Sequence, residues 1–211
     1  MVHPALRSPK KKWTYGDYLN WPDDNRCELI HGEFFDMTPG PTSEHQEILA
    51  DLTAQLRTFL RGKRCRVFPD TDVILPKRKE GDERVDTVVR PDLAVVCDPA
   101  KIDGKRIRGA PDLIIEILSP STASYDFIKK RRLYEVSGVQ EFWLVHPGDR
   151  IITLFHLGPT GSYGPSEYFD ESSKIPVKVL PGLEIDFSLV FPAAPAPVRE
   201  TPKKFRKKKK L

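Results

Sequence analysis

Ala110-Pro111-Asp112-Leu113-Ile114-Ile115-Glu116-Ile117-Leu118-Ser119-Pro120 reads as one short strand held between two prolines. Side chains alternate along a strand, so Asp112, Ile114, Glu116 and Leu118 share one face and Leu113, Ile115 and Ile117 the other. Apart from the acids both faces are apolar, the pattern of a central strand covered on both sides. Glu116 is therefore a carboxylate where a carboxylate is expensive. Burying a charge alone costs several kcal/mol or forces protonation, so a cation, a lysine or a hydrogen-bond donor is expected beside it.

Outward from this strand, the spacing predicts two main helices. Ser43 to Arg61 opens on a Ser43/Gln46 capping box and stops at Gly62. It carries His45, Ile48, Leu49, Leu52, Leu56 and Phe59 on one stripe. Ser124 to Val136 forms the second and ends at Gly138. A shorter helix covers Trp13 to Leu19, with Thr14 and Asp17 as its capping box. Cys27–His31 and Glu33–Met37 read as strands joined at Gly32. Arg64–Val67 and Thr71–Leu75 are strand-like. Thr87–Cys97 holds a strand interrupted by Pro91, which argues for an edge position or a bulge. Lys101–Gly109 reads as a basic turn. Further strands follow at Glu141–His146, Ile151–Leu157 and within Ser162–Val190, with Leu183–Asp186 in the last. The expected fold class is α/β (mixed α+β), a mixed sheet with helices against it.

At 211 residues and 39% hydrophobic content, the chain suits one domain with tails. The expected division is a disordered basic segment 1–12, a domain 13–192 and a disordered Pro/Ala- then Lys-rich tail 193–211. No apolar run is long enough for a transmembrane helix, and no signal peptide is apparent. Cys27, Cys65 and Cys97 are odd in number and widely spaced, which suits a reducing cytoplasm and gives no zinc pattern. Residues 1–12 carry +4 and residues 197–211 carry +7 of a chain total of +4, so the body is −7. An acidic body argues against a protein that coats nucleic acid and accommodates a carboxylate metal site.

Asp92 follows Pro91, Asp112 follows Pro111, and Glu116 lies 24 residues beyond Asp92. If their segments pair in one sheet, Asp92 and Glu116 converge. Two carboxylates with waters and phosphate oxygens are the usual way a protein holds Mg²⁺. Against this, Pro-Asp pairs are ordinary turn and strand-start residues. On the second helix Lys130 takes the more apolar side, between Phe127 and Tyr134, while Lys129 and Arg132 face outward. Lys130 either makes a plain i,i+4 pair with Asp126 or points its ammonium at Glu116. His45 heads its stripe, where a hydrogen-bonded boundary residue is the ordinary outcome. Glu28 and Glu33 flank the first hairpin, with surface positions as the default.

Glu28-Leu-Ile-His-Gly-Glu33, His45 opening a helix, Pro91-Asp-Leu-Ala-Val-Val96, Asp112-Leu-Ile-Ile-Glu-Ile-Leu-Ser-Pro-Ser-Thr122, Asp126 with Lys130 and Tyr134, and Gly138-Val-Gln-Glu-Phe-Trp-Leu-Val-His-Pro147 run in a familiar order. Over about residues 13–190 the chain resembles the Uma-two family, described as "putative restriction endonucleases". The resemblance implies the PD-(D/E)XK nuclease fold, a restriction-endonuclease-like central mixed sheet flanked by helices, here with additional N- and C-terminal strands. It implies that Asp92 and Glu116 hold Mg²⁺, or Mn²⁺ in its place, and that Glu28 is an additional acid. His45 matches a family position near the site. The motif wants lysine two residues after its second acid. Leu118 stands there, and Lys130 is the substitute the pattern offers.

The expectation is a Mg²⁺-dependent endonuclease hydrolysing DNA in the cytoplasm, with Asp92, Glu116, Lys130, Glu28 and His45 as its site. A two-fold homodimer is expected by analogy, since cutting both strands takes a pair of sites. The basic ends either hold DNA non-specifically or simply solubilise. Two rivals stand beside this. One is a catalytically weak or inactive nuclease-fold protein that binds DNA or serves a mobile element, which Leu118 favours. The other is a structural module whose acids are merely hydrogen-bonded.

Overall fold

The computed structural model describes residues 12–21, 27–37, 40–119 and 126–192, with the side chains of 126 and 127 left out. The tails expected at 1–12 and 193–211 lie outside the described residues except for Lys12. Lys12 Nζ donates to His31 O at 2.9 Å.

The expected central strand is β8 (Leu113–Ile117), and all five of its residues are buried. It pairs antiparallel with β6 (Leu93–Val96) and parallel with β9 (Glu141–His146). With β3 (Arg66–Pro69), β10 (Ile151–His156) and β11 (Glu167–Asp170) they make a six-stranded mixed sheet in the order β11-β10-β9-β8-β6-β3.

Alternation along β8 divides the interior in two. Leu113, Ile115 and Ile117 join Leu93, Val95 and Trp143 under helix α2 (Ser43–Leu60), with Ile175, Ile185 and Phe187 in the same cluster. Ile175 and Ile185 come from the closing hairpin of β12 (Lys174–Pro176) and β13 (Glu184–Asp186). On the opposite face Ile114 and Leu118 pack with Ala94, Val96 and Phe142. Leu133 and Tyr134 of helix α3 (Arg131–Ser137) complete that cluster, together with Val73, Val89 and Ile107 of a second sheet. Each fully buried apolar side chain contributes roughly 1.5–3 kcal/mol, so four of them on β8 can hold one costly acid in place.

The second sheet runs β2-β1-β5-β4-β7, from β1 (Cys27–Ile30), β2 (Glu33–Asp36), β4 (Val73–Ile74), β5 (Val88–Val89) and β7 (Ile107–Arg108). Its hairpin turns on His31 and Gly32, both at positive φ (51° and 76°), the two-residue turn whose twist matches the strands. The short helix α1 (Tyr15–Tyr18) carries the expected Thr14/Asp17 capping box.

Four local expectations are corrected. Pro91 marks neither an edge nor a bulge. β5 lies inside one sheet and β6 inside the other, and the chain crosses between them at Arg90-Pro91, where a residue without an N–H cannot extend a ladder. Helix α2 is capped by Thr42, not Ser43: Thr42 is extended (ψ 166°) and its hydroxyl accepts from His45 N at 3.2 Å. The start of the second helix, expected at Ser124, lies outside the described residues; from Asp126 to Lys130 the chain is a π-helical turn rather than α-helix, followed by α3, which ends at Gly138 in the left-handed region as expected. The basic turn at 101–109 contains β7, parallel to β4.

Cys65 and Cys97 are not free thiols far apart. Extending the β3–β6 register past Arg66↔Val96 sets them opposite each other, and a disulfide joins them. Cys27 is a buried free thiol. Titration of the denatured chain is expected to find one thiol before reduction and three after, and reducing the bond should lower stability by about 2–4 kcal/mol. Three thiols without reductant would contradict the pairing.

Candidate active site

β6 and β8 bring the first two acids together by register. Leu93 pairs with Ile115, so the next pair places Asp92 opposite Glu116 on one face. Side chains so placed have Cβ atoms roughly 4.5–5.5 Å apart, and like charges there repel. The surrounding structure answers that repulsion with donors. Asp92 Oδ2 accepts from Ile117 N at 2.7 Å, and Asp92 Oδ1 lies 3.1 Å from His45 Nε2. His45 reaches it from the first turn of α2.

Glu116 is answered from the other side. Lys130 Nζ lies 3.0 Å and the Tyr134 hydroxyl 2.6 Å from Glu116 Oε1. Lys130 Nζ also lies 2.9 Å from Glu28 Oε1, and Glu28 Oε1 accepts from Arg90 N at 2.9 Å. Glu28 on β1 thus ties the second sheet to the backbone crossing just before Asp92. The default surface reading of Glu28 is corrected: it is buried, whereas Glu33, just past the hairpin turn on β2, is exposed.

The π-helical turn sets which side chains face the sheet. Ile128 and Lys129 are exposed, whereas Lys130 and Tyr134 are buried. Such wide turns are frequent at functional sites. The side chain of Asp126, and with it the expected i,i+4 pair with Lys130, lies outside the described residues. Tyr134 packs edge-on against Phe142 at 5.1 Å between centroids. Burial first, then the neighbouring Glu116 carboxylate, pushes the Tyr134 hydroxyl well above the ordinary phenol range, so it is a donor and not a base.

The five predicted site residues form two sets, His45 with Asp92 and Lys130 with Glu28 and Glu116, set side by side by the β6–β8 register. Their side chains are 1–11% exposed except Asp92 at 19%, so Asp92 is where the cluster opens. Among the described residues no group of three or more His, Cys, Asp and Glu is arranged to hold a metal. Asp112 stays outside: its Oδ2 accepts from Cys97 N at 2.7 Å and anchors the strand ends. Leu118 lies in the apolar cluster of that face. Tyr134 is the contact that residue-by-residue reading missed, although its i,i+4 spacing from Lys130 signalled it. A second buried acid, Glu141, is held by Trp143 Nε1 at 2.8 Å and Val179 N at 3.0 Å, and serves the frame.

A family model described as "Uma2: Putative restriction endonuclease" matches residues 15–188. An uncharacterised protein of Synechocystis sp., slr1290, is 28% identical over 166 residues, 77% of this chain and 84% of that one. The crystal structure of a "putative nuclease belonging to DUF820" from Anabaena variabilis superposes with a TM-score of 0.67 at 21% identity. That match covers 84% of this chain and 97% of the other.

Replacing Lys130 with Met leaves two buried carboxylates without their shared ammonium. The expected loss is about 3–5 kcal/mol in urea unfolding. A loss below 1 kcal/mol would show that the pairs are not formed. Burial also raises the hydroxyls of Tyr18 and Tyr163 above the ordinary phenol range, as for Tyr134. All three folded-state values lie above the unfolded one near 10, so their stabilising share is complete below pH 10 and is lost as pH climbs beyond it. Absorbance at 295 nm should show three of the six tyrosines ionising only as the protein unfolds in alkali. Six tyrosines titrating together near pH 10 in folded protein would refute this.

Proposed function

This chain belongs to the Uma2 family, and on that footing we propose that it is a metal-dependent endonuclease acting on DNA phosphodiesters. The observation that carries the reading is the β6–β8 register, in which Leu93 pairs with Ile115 and the next step sets Asp92 beside Glu116, with a buried ammonium against Glu116.

The donor chemistry fits a hard divalent cation. Carboxylate oxygens suit Mg²⁺ or Mn²⁺, and Mg²⁺ usually keeps several waters beside one or two carboxylates. Two acids are then enough. Asp92 and Glu116 would hold the ion. When bound, it would supply a water of lowered pKa and offset charge on the phosphoryl oxygens.

The remaining residues prepare that place. His45 Nε2 and the Ile117 amide fix the Asp92 carboxylate. Lys130 stands in for the lysine absent at position 118, donating charge and hydrogen bonds toward the attacking water and the phosphate. Glu28, expected to assist a metal directly or through water, is engaged by Lys130 and Arg90 N. Its part in this reading is to hold the ammonium in place. Entry is at Asp92, the most exposed of the five.

DNA as substrate, a two-fold pair of chains and a cytoplasmic setting belong to the same reading. No described helix is long and apolar enough to cross a membrane. The Cys65–Cys97 disulfide removes the support that the cysteine count lent to a reducing compartment.

Supercoiled plasmid with Mg²⁺ or Mn²⁺ tests the proposal. Wild type is expected to nick it, chelation to stop it, and Asp92→Asn and Glu116→Gln each to cut the rate by about 10²–10³-fold. A plasmid left intact by wild type in either metal, with DNA binding retained, would replace the enzyme by the nuclease-fold binding protein.

A further inference from the structure

Tyr134 has no role in the reaction as described above, yet it makes the shortest contact in the cluster. Its hydroxyl donates to Glu116 Oε1 at 2.6 Å, a distance typical of a charge-assisted O–H···O⁻ bond. Its ring is fully buried and held edge-on by Phe142. Phe142 pairs on β9 with Ile114, two residues before Glu116 on the same face of β8. The donor is therefore anchored to the strand that carries its acceptor. Lys130, four residues earlier, meets the same oxygen at 3.0 Å, so one helical segment delivers both donors to one atom.

A phenol this buried could merely be satisfying its own hydroxyl. Its choice of partner argues for more. The acceptor is the one acid on the central strand, which faces Asp92 in register and, through Lys130, Glu28. His45 stands behind Asp92. An acid in that company has every electrostatic reason to turn away from Asp92, and a two-point hold on Oε1 prevents it.

We infer that Tyr134 is a positioning residue: it fixes the side-chain orientation of Glu116 so that Asp92 and Glu116 form a preset pair for a divalent cation. The cation part rests on the nuclease reading above, whereas the orienting of Glu116 does not. Groups that hold metal-binding side chains in place typically matter about 10–100-fold to metal affinity or activity when removed.

The test uses the full chain with Tyr134→Phe, which keeps the ring and removes the donor. Mn²⁺ alone, titrated by calorimetry, is expected to bind about 10–100-fold more weakly. Plasmid nicking should lose a similar factor in kcat with KM for DNA unchanged. A crystal structure of the metal-free variant should show Glu116 in a new rotamer. A folded variant with wild-type Mn²⁺ affinity and Glu116 unmoved overturns the inference. If Tyr134→Phe fails to fold, p-aminophenylalanine at 134 restores a donor on the same ring. Wild-type Mn²⁺ binding then supports the role, and its loss in a folded protein overturns it. Should wild type neither bind Mn²⁺ nor nick DNA, the nuclease reading fails by itself. The rotamer of Glu116 in the variant then decides the inference alone.

Discussion

The structure depends on how a carboxylate is kept in the middle of a buried sheet. Glu116 sits on a strand whose every residue is covered, one register step from Asp92's side of β6 and within reach of an ammonium shared with Glu28. The interior offers little dielectric screening, so each of these charges is tolerable only because of the others. That makes the cluster a joint as well as a site. It ties β8 to α3 through Tyr134, β8 to the π-helical turn before α3 and to β1 through Lys130, and the start of β6 to α2 through His45.

The two sheets meet at the same joint. The chain leaves β5 of one sheet, passes Arg90 and Pro91, and enters β6 of the other with Asp92 as the first side chain on the site's face. Glu28 accepts from the Arg90 amide, so the crossing is anchored by the same carboxylate that holds Lys130. Proline's missing N–H, which ends one ladder, is what frees the chain to begin the next.

Leu118 and Lys130 show how one face of a sheet can stay apolar along its strand and still receive a charge. Position 118 faces an apolar cluster with Ile114, Ala94 and Leu133. The ammonium arrives instead from a π-helical turn lying over that face. Electrostatics acts through space, so the chain position from which a charge is supplied is immaterial once the fold brings it within about 3 Å.

Period-2 and period-3.6 patterns were enough to read β8 as central, α2 with its buried stripe, the hairpin at Gly32 and the stop at Gly138. These are local: apolar spacing, caps and turns act over a few residues. Glu116 announced itself as needing a partner because its own strand offered none. What the residues alone did not determine was long-range. Thr42 rather than Ser43 as the cap, the split of 87–97 between two sheets and the Cys65–Cys97 bridge all depend on which segments pack together. The burial of Glu28 and the reach of Tyr134 depend on β1 and α3 closing over one face of β8. Charges 14 to 102 residues apart in the chain meet only when desolvation forces them to share donors, and that choice is made by the packed sheet, not by any window of sequence.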